Sequence, residues 1–423
     1  MDATPHPDRL QVFFATREVG DLVADPDRKL SFQYAPDWLA AGDAFPISLS
    51  MPLRGDRYAP PVSHNFFANL LPEANVRARV CAKLKISADN DFELLRAIGG
   101  DCAGALSITS GTPSSDADPA KATPISDEQL AAWSTGTVDA FSAVSGEGNV
   151  RLSLAGAQDK LPIHVADGRF LLPEDRLAST HLLKFASPFF SHLPDNEALT
   201  TLLARNLGLN VVNVQLVPTA QARVLLIERY DRVQQGAGWL RLHQEDFCQA
   251  LGIGHLQKYE KEGGPSLKQC ADLIRGYCSM PALDIDGLLQ WSLFNLLAGN
   301  SDAHGKNISI LYGTDGSIQL APFYDLVCTR NYERLDRHLA MNLGGETDPG
   351  LVRAHHLEQL AADLKVNSKL VTRTMEGLLE RLPTTLDKTV TQFNNVYGES
   401  PVLERLPQTI RQQVRRTKTM LTS

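Results

Sequence analysis

The chain is 423 residues long, 43% hydrophobic and 21% charged, with a formal net charge of -8. That length predicts more than one buried core, and the acidic balance argues against a dominant nucleic-acid surface of its own. No run of about 18 apolar residues occurs, so no membrane-spanning helix is expected, and the start, MDATPHPDRLQVFF, lacks a basic stretch followed by an apolar one, so no signal peptide is expected either.

Residues 10–108 read as a first compact unit. Segments 10–16 and 30–34 carry the β-branched and aromatic content of strands. Segments 66–71 and 92–98 read as short buried helices, the second stopped by Gly99 and Gly100. The composition then changes: 109–126, TSGTPSSDADPAKATPIS, has almost no large apolar residue and reads as a linker or exposed loop.

A strand-rich stretch follows over 127–240. Segments 161–165 and 169–172 flank Ala166, Asp167 and Gly168, a hairpin signal because Asp-Gly tolerates positive φ. Segment 180–185 reads as another strand. Leu199, Leu202, Leu203 and Leu207 recur at helical spacing, predicting a helix over 196–207 closed by Gly208. Strands are expected again at 211–216 and 222–228. From 244 onward the pattern turns helical, with an apolar central helix at 285–298 ending at Gly299, two short strands at 308–311 and 318–320, and helices again from about 350 to the end. The six cysteines form no CxxC pair and read as buried thiols of a reducing, cytoplasmic protein. Near the C-terminus Arg411, Arg415, Arg416 and Lys418 form a basic cluster that reads as a solvated helix face.

The chemistry concentrates after the central helix. In GNSDAHGKN (299–307), Asp302 and Asn307 are five residues apart, the spacing of the aspartate and asparagine in a protein-kinase catalytic loop. Such a string alone recurs by chance, as a polar loop with Asx turns. Here it lies between an apolar helix and a strand–turn–strand that ends in Asp325. Phosphoryl transfer needs a carboxylate that accepts the acceptor hydroxyl's proton, a role for Asp302. It also needs oxygen ligands for magnesium, roles for Asn307 and Asp325. Lys306 can neutralise transition-state charge, and His304 can contact phosphate or hold the loop. Lys184, on an apolar strand, needs a phosphate or a carboxylate such as Glu197 beside it. The turn SLAGAQDK (153–160) can bring backbone N–H groups of Ala155, Gly156, Ala157 and Gln158 against phosphate, although it is not a GxGxxG loop.

These strings together resemble the HipA-like toxin kinases of bacterial toxin–antitoxin systems. The resemblance is carried by SLAGAQDKLPI (153–163), THLLKF (180–185), DNEALTTLLARNLGLNV (195–211), ERYDR (228–232), RLHQEDFCQALG (241–252), KYEKEGGP (258–265), GNSDAHGKN (299–307) and APFYDLV (321–327). It extends to FQYAPDWLA (32–40), SLSMPL (48–53), NFFANLLPE (65–73) and FELLRAIGGDCAGAL (92–106) in the first unit. The stretch 328–341, with Arg330, Arg334, Asp336 and Arg337, does not follow the family pattern as clearly.

The resemblance implies an α+β, bilobal, protein-kinase-like fold. Residues 1–108 would form a HipA-type N-terminal α/β subdomain and 109–126 a linker. Residues 127–240 would form a strand-rich nucleotide lobe and 241–423 an all-helical catalytic lobe. It implies an ATP- and magnesium-dependent serine/threonine protein kinase, with Asp302 as base, Asn307 and Asp325 on the metal and Lys184 on phosphate. Glu228, Arg229 and Tyr230 would form a hinge that meets adenine through backbone groups, and Ser153 would be an inactivating autophosphorylation site. The implied partners are a HipB-like helix-turn-helix antitoxin, operator DNA mainly through that antitoxin, and a protein substrate such as an aminoacyl-tRNA synthetase. A small-molecule kinase and a non-catalytic ATP-binding regulator are the alternatives; the first unit argues against the former, and the intact Asp302, Asn307, Asp325 and Lys184 against the latter.

Overall fold

The computed structural model describes residues 8–111, 122–136, 138, 140, 159–173, 177–236 and 238–422. The first sheet is antiparallel, in the order β3-β2-β1-β4, from β1 (Arg9–Phe14), β2 (Arg17–Ala24), β3 (Leu30–Tyr34) and β4 (Leu106–Thr109). Helices Val62–Ala68, Ala74–Leu84 and Asp91–Ile98 accompany it. The first of them begins four residues before the segment expected at 66–71. The Asp91–Ile98 helix starts at Asn90, whose side chain accepts the Glu93 N–H, an N-cap of the usual kind.

A six-stranded antiparallel sheet follows, in the order β5-β7-β6-β8-β10-β9. Its members are β5 (Thr123–Pro124), β6 (Lys160–Ala166), β7 (Arg169–Leu172), β8 (His181–Lys184), β9 (Val214–Pro218) and β10 (Arg223–Glu228). The hairpin between β6 and β7 turns at Asp167 (φ 50°) and Gly168 (φ 72°), both left-handed, as a type I′ turn requires. β5 pairs with β7, so the end of the polar stretch 109–126 is a sheet edge rather than a loose linker.

One strand shows how this sheet joins the rest. In β10, Val224 and Leu226 enter a core shared with the first sheet, while Leu225 and Ile227 enter the core of the helical region. Successive side chains of a strand point to opposite faces, so an unbroken apolar run is what a sheet covered on both sides needs.

The remaining strands are β11 (Arg232–Gln235) paired with β12 (Gly238–Arg241), and β13 (Gln244–Asp246), β14 (Ser309–Tyr312) and β15 (Ile318–Leu320) in one sheet. The region from 241 onward is therefore not all-helical. Its three-stranded sheet exists because Gln244–Asp246, too short to show a period in sequence, pairs with β14 more than 60 residues later. Around that sheet lie helices Leu267–Tyr277, Pro281–Ala298, Ala354–Asp363, Ser368–Tyr397 and Val402–Thr422. The Pro281–Ala298 helix is buried on most of its surface, begins with Pro281 in its first turn and ends at Gly299 (φ 71°). Among the described residues no helix is long and apolar enough to cross a membrane. All six cysteines are free and buried. The C-terminal basic cluster lies on the Val402–Thr422 helix, where Arg411 pairs with Asp387.

Candidate active site

A cleft of about 740 Å³ runs between the six-stranded sheet and the helical region, within the size range of small-molecule and cofactor sites. Its lining includes Lys160, Lys184, Glu228, Arg229 and Tyr230 from one side and Asp302, His304, Lys306, Asn307 and Asp325 from the other.

Lys184 leaves β8 with its ammonium 2.7 Å from Glu197 Oε1 and 2.6 Å from Asp325 Oδ1. Glu197 comes from the Leu193–Leu207 helix, which begins three residues earlier than its leucine spacing indicates. Burial alone would drive the Lys184 pKa down, but the two carboxylates outweigh it and keep the ammonium charged. Asp325 feels the converse. Burial would raise its pKa, yet Lys184 and Lys160 hold it at about 2. Its backbone sits at φ 58°, a left-handed conformation that non-glycine residues seldom take and that recurs at functional sites.

Lys160 begins β6 directly opposite Lys184. Burial, then the neighbouring Lys184 charge, push its pKa down to about 8. An anion arriving in the cleft would reverse that shift, so Lys160 suits phosphate. Its position in SLAGAQDK carried no charge role at the level of sequence.

Asp302 follows the buried central helix. Its carboxylate is half exposed and accepts a hydrogen bond of 2.7 Å from the Tyr259 hydroxyl. Asn307 Nδ2 donates to the Asp302 carbonyl at 2.9 Å, which leaves the amide oxygen of Asn307 for another partner. The loop is pressed against Pro265 and Cys248: a Cβ on Gly305 would stand 2.5 Å from Pro265 Cγ, so a larger residue there would displace the loop. His304 is buried, and burial lowers its pKa, so at pH 7 it is a neutral imidazole. It packs edge-on to Tyr259, and its Nδ1 has no hydrogen-bond partner among the described residues. Lys306 is buried and pairs with Glu73 at 2.7 Å. Glu73 belongs to the first unit and also accepts Lys258 at 3.0 Å.

The expected hinge lines the cleft, but much of its bonding capacity is in use. The Glu228 and Arg229 amides donate to Asn213 and Thr180 carbonyls. The Arg229 guanidinium donates to Asp231, Ser179 and the Cys102 carbonyl. Tyr230 stacks on Tyr324 with ring centroids 6.0 Å apart. Ser153, Ala155, Gly156, Ala157 and Gln158 lie outside the described residues.

For magnesium, the donor set fits: one carboxylate of lowered pKa and one amide oxygen, with waters and phosphates expected to complete the shell. Among the described residues no group of three or more His, Cys, Asp or Glu forms a cage, and magnesium used with a nucleotide needs none.

Tyr259, Glu73, Lys258 and Lys160 are among the cleft residues that sequence reasoning did not assign. KYEKEGGP and NFFANLLPE were visible as strings, but nothing in their spacing relates them to Asp302 or Lys306.

Comparison with known proteins identifies the family and the fold. The HipA-like C-terminal domain family matches residues 152–386, and the HipA N-terminal domain family matches residues 10–109. The protein Y4mE of Sinorhizobium fredii is 36% identical over 92% of this chain and 94% of its own length. The serine/threonine-protein kinase toxin HipA of Shewanella oneidensis is 34% identical over 88% of this chain and 87% of its own. Among solved structures, the Shewanella oneidensis HipA complex with HipB and operator DNA superposes with a TM-score of 0.81 at 30% identity, covering 96% of both chains. The α+β, kinase-like fold therefore spans nearly the whole chain.

Proposed function

Because this chain belongs to the HipA family of toxin kinases, we propose that it transfers the γ-phosphoryl group of ATP to a serine or threonine hydroxyl of a protein. The observation that carries this reading is Lys184 bridging Glu197 and Asp325. A strand lysine held by a helix glutamate is the arrangement that positions nucleotide phosphates in kinases.

In this reading Lys184 and Lys160 bind the phosphates, and Asp325 with the Asn307 amide oxygen holds magnesium. The metal, when bound, neutralises charge on the phosphates. Asp302 is open enough to meet an acceptor hydroxyl, and Tyr259 keeps its carboxylate aimed while it accepts the proton. His304, being neutral, would orient the loop by packing against Tyr259 rather than attract phosphate by charge. With the Glu228 and Arg229 amides already committed, an adenine edge would meet the hinge at Tyr230.

The finer parts of the proposal follow the family. Ser153 would be a self-modification site, where a phosphate adds roughly -1.5 to -2 charge beside the nucleotide phosphates and weakens their binding. A HipB-like helix-turn-helix antitoxin would hold the chain on operator DNA, which suits the acidic composition. An aminoacyl-tRNA synthetase is the proposed acceptor class, and the cytoplasm the proposed compartment.

The test is transfer of labelled γ-phosphate from ATP to protein, measured on dephosphorylated enzyme. Wild type should label protein serine or threonine in a magnesium-dependent way. Asp302→Ala should lose at least about 10²-fold in rate with an unchanged melting temperature, since the side chain is half exposed. Turnover of a metabolite with no protein labelled would instead make this a small-molecule kinase.

A further inference from the structure

The cleft contains a residue that the catalytic lobes do not supply. Glu73 belongs to the first unit and stands at the start of the Ala74–Leu84 helix. Its carboxylate is nearly buried and forks between two lysines: Lys306 lies 2.7 Å from Oε1 and Lys258 lies 3.0 Å from Oε2. The Lys306 ammonium also donates to the Asn69 carbonyl at 3.2 Å. Burial would raise the Glu73 pKa, but Lys306 and Lys258 hold it at about 2, so it is ionised.

Three features show that this placement is built in. Ala74, next to Glu73, sits at φ 46°, a left-handed conformation unfavourable for a residue with a Cβ. Strain of this kind persists where the surrounding structure over-determines it, often at functional sites. The first unit is also locked to the catalytic region close by. Asn69 Nδ2 donates to Ile253 O at 2.9 Å, Asn65 Nδ2 to Gly252 O at 2.8 Å, and Gln249 Nε2 to Phe66 O at 3.2 Å. Finally, both lysines belong to the cleft, as do Asp302 and Asp325. In direct ion pairs one carboxylate faces two ammonium groups there, with the Asp246 carboxylate also near Lys306. A flexible lysine gains most from such a clamp, because its rotamer freedom is spent before substrate arrives.

We propose that Glu73 is a positioning residue for phosphoryl transfer: it holds Lys306, with Lys258, toward the terminal phosphate, so that the first unit completes the kinase site rather than decorating it. This rests on the kinase reading above and adds to it the identity of the group that aims the lysines.

The experiment uses the full chain. Wild type, Glu73→Gln and Glu73→Asp are compared for phosphoryl transfer, for melting temperature, and for equilibrium binding of magnesium complexes of ADP and of a non-hydrolysable ATP analogue. Glu73→Gln should lower kcat at least about tenfold. It should also weaken the triphosphate analogue about threefold or more relative to ADP, because the aimed charge faces a phosphate that ADP lacks. Glu73→Asp, which keeps the charge, should recover part of both. A folded Glu73→Gln enzyme with wild-type kcat, or one in which both nucleotides weaken equally, would overturn the assignment; the second result would make Glu73 a strut between units. If Glu73→Gln does not fold, Lys306→Met removes the aimed group and leaves the Glu73–Lys258 pair. It should lose the same preference for triphosphate, and keeping that preference would also sink the proposal. A wild-type chain that transfers no phosphate and binds neither nucleotide overturns the kinase reading and this inference together, whereas an active wild type with an indifferent Glu73 overturns the inference alone.

Discussion

The two walls of the cleft carry charge clusters of opposite composition. On the sheet side, one lysine is shared by two carboxylates: Lys184 between Glu197 and Asp325. On the side of the catalytic loop, one carboxylate is shared by two lysines: Glu73 between Lys306 and Lys258. In direct ion pairs the first cluster has one more carboxylate than lysine and the second one more lysine than carboxylate, with Lys160 standing opposite Lys184 and Asp246 near Lys306. Buried ions are expensive when unpaired and roughly neutral when well paired. Such an imbalance of direct pairs in a nearly buried cluster therefore contributes little to folding. It makes sense where a ligand supplies further charge.

The sharpest way to break this comparison is Asp325→Asn. The amide removes one of the two carboxylates on Lys184 while Lys184 keeps Glu197. Transfer should fall about 10³-fold. Stability should hold or rise, because asparagine tolerates the left-handed backbone that residue 325 occupies at φ 58°. A parallel fall in melting temperature would mean that Asp325 is structural.

Lys184→Met tests the other half of the same cluster. It leaves Glu197 buried without its lysine, with burial pushing the carboxyl pKa up. The fold should lose about 3–5 kcal/mol in chemical denaturation, and nucleotide binding should be lost with it.

The smallest effect concerns the seam that delivers Glu73. His243 is buried and its imidazole contacts the Ile47 carbonyl at 2.8 Å. Burial lowers its pKa from 6.5 to about 4, only partly offset by Ile47 and Asp231. The unfolded chain thus binds the proton more readily. The His243 contribution is complete above about pH 6.5 and is lost as pH falls toward 4. Over that range it amounts to about 3 kcal/mol. Buried carboxylates nearby titrate too, so the difference between proteins is the quantity to measure. Between pH 7 and pH 4 the wild type should lose about 3 kcal/mol more than His243→Gln. Equal losses would show that this imidazole does not sense acid.

Much of the molecule was readable before any coordinates. The Asp167-Gly168 hairpin, the leucine-spaced helix capped at Gly208 and the apolar helix ending at Gly299 are local signals, and each stands within a few residues of its expected place. The GNSDAHGKN loop and Asp325 share the cleft with Lys184. Harder to read were β11, β12 and β13, which are three or four residues long and too short to show a period. Also hidden was the double coverage of β10, where an apolar run looks the same whichever element covers each face.

Residue types, turn chemistry and hydrophobic spacing are written into neighbouring positions, so they indicated most of the longer elements, the polar loop at 299–307 and the family. The partners of the charges were another matter. Glu73 and Lys306 are 233 positions apart, and Lys184 and Asp325 are 141 apart. No local propensity links residues at such distances. Only the packing of the first unit and the two lobes around one cleft determines which charge meets which.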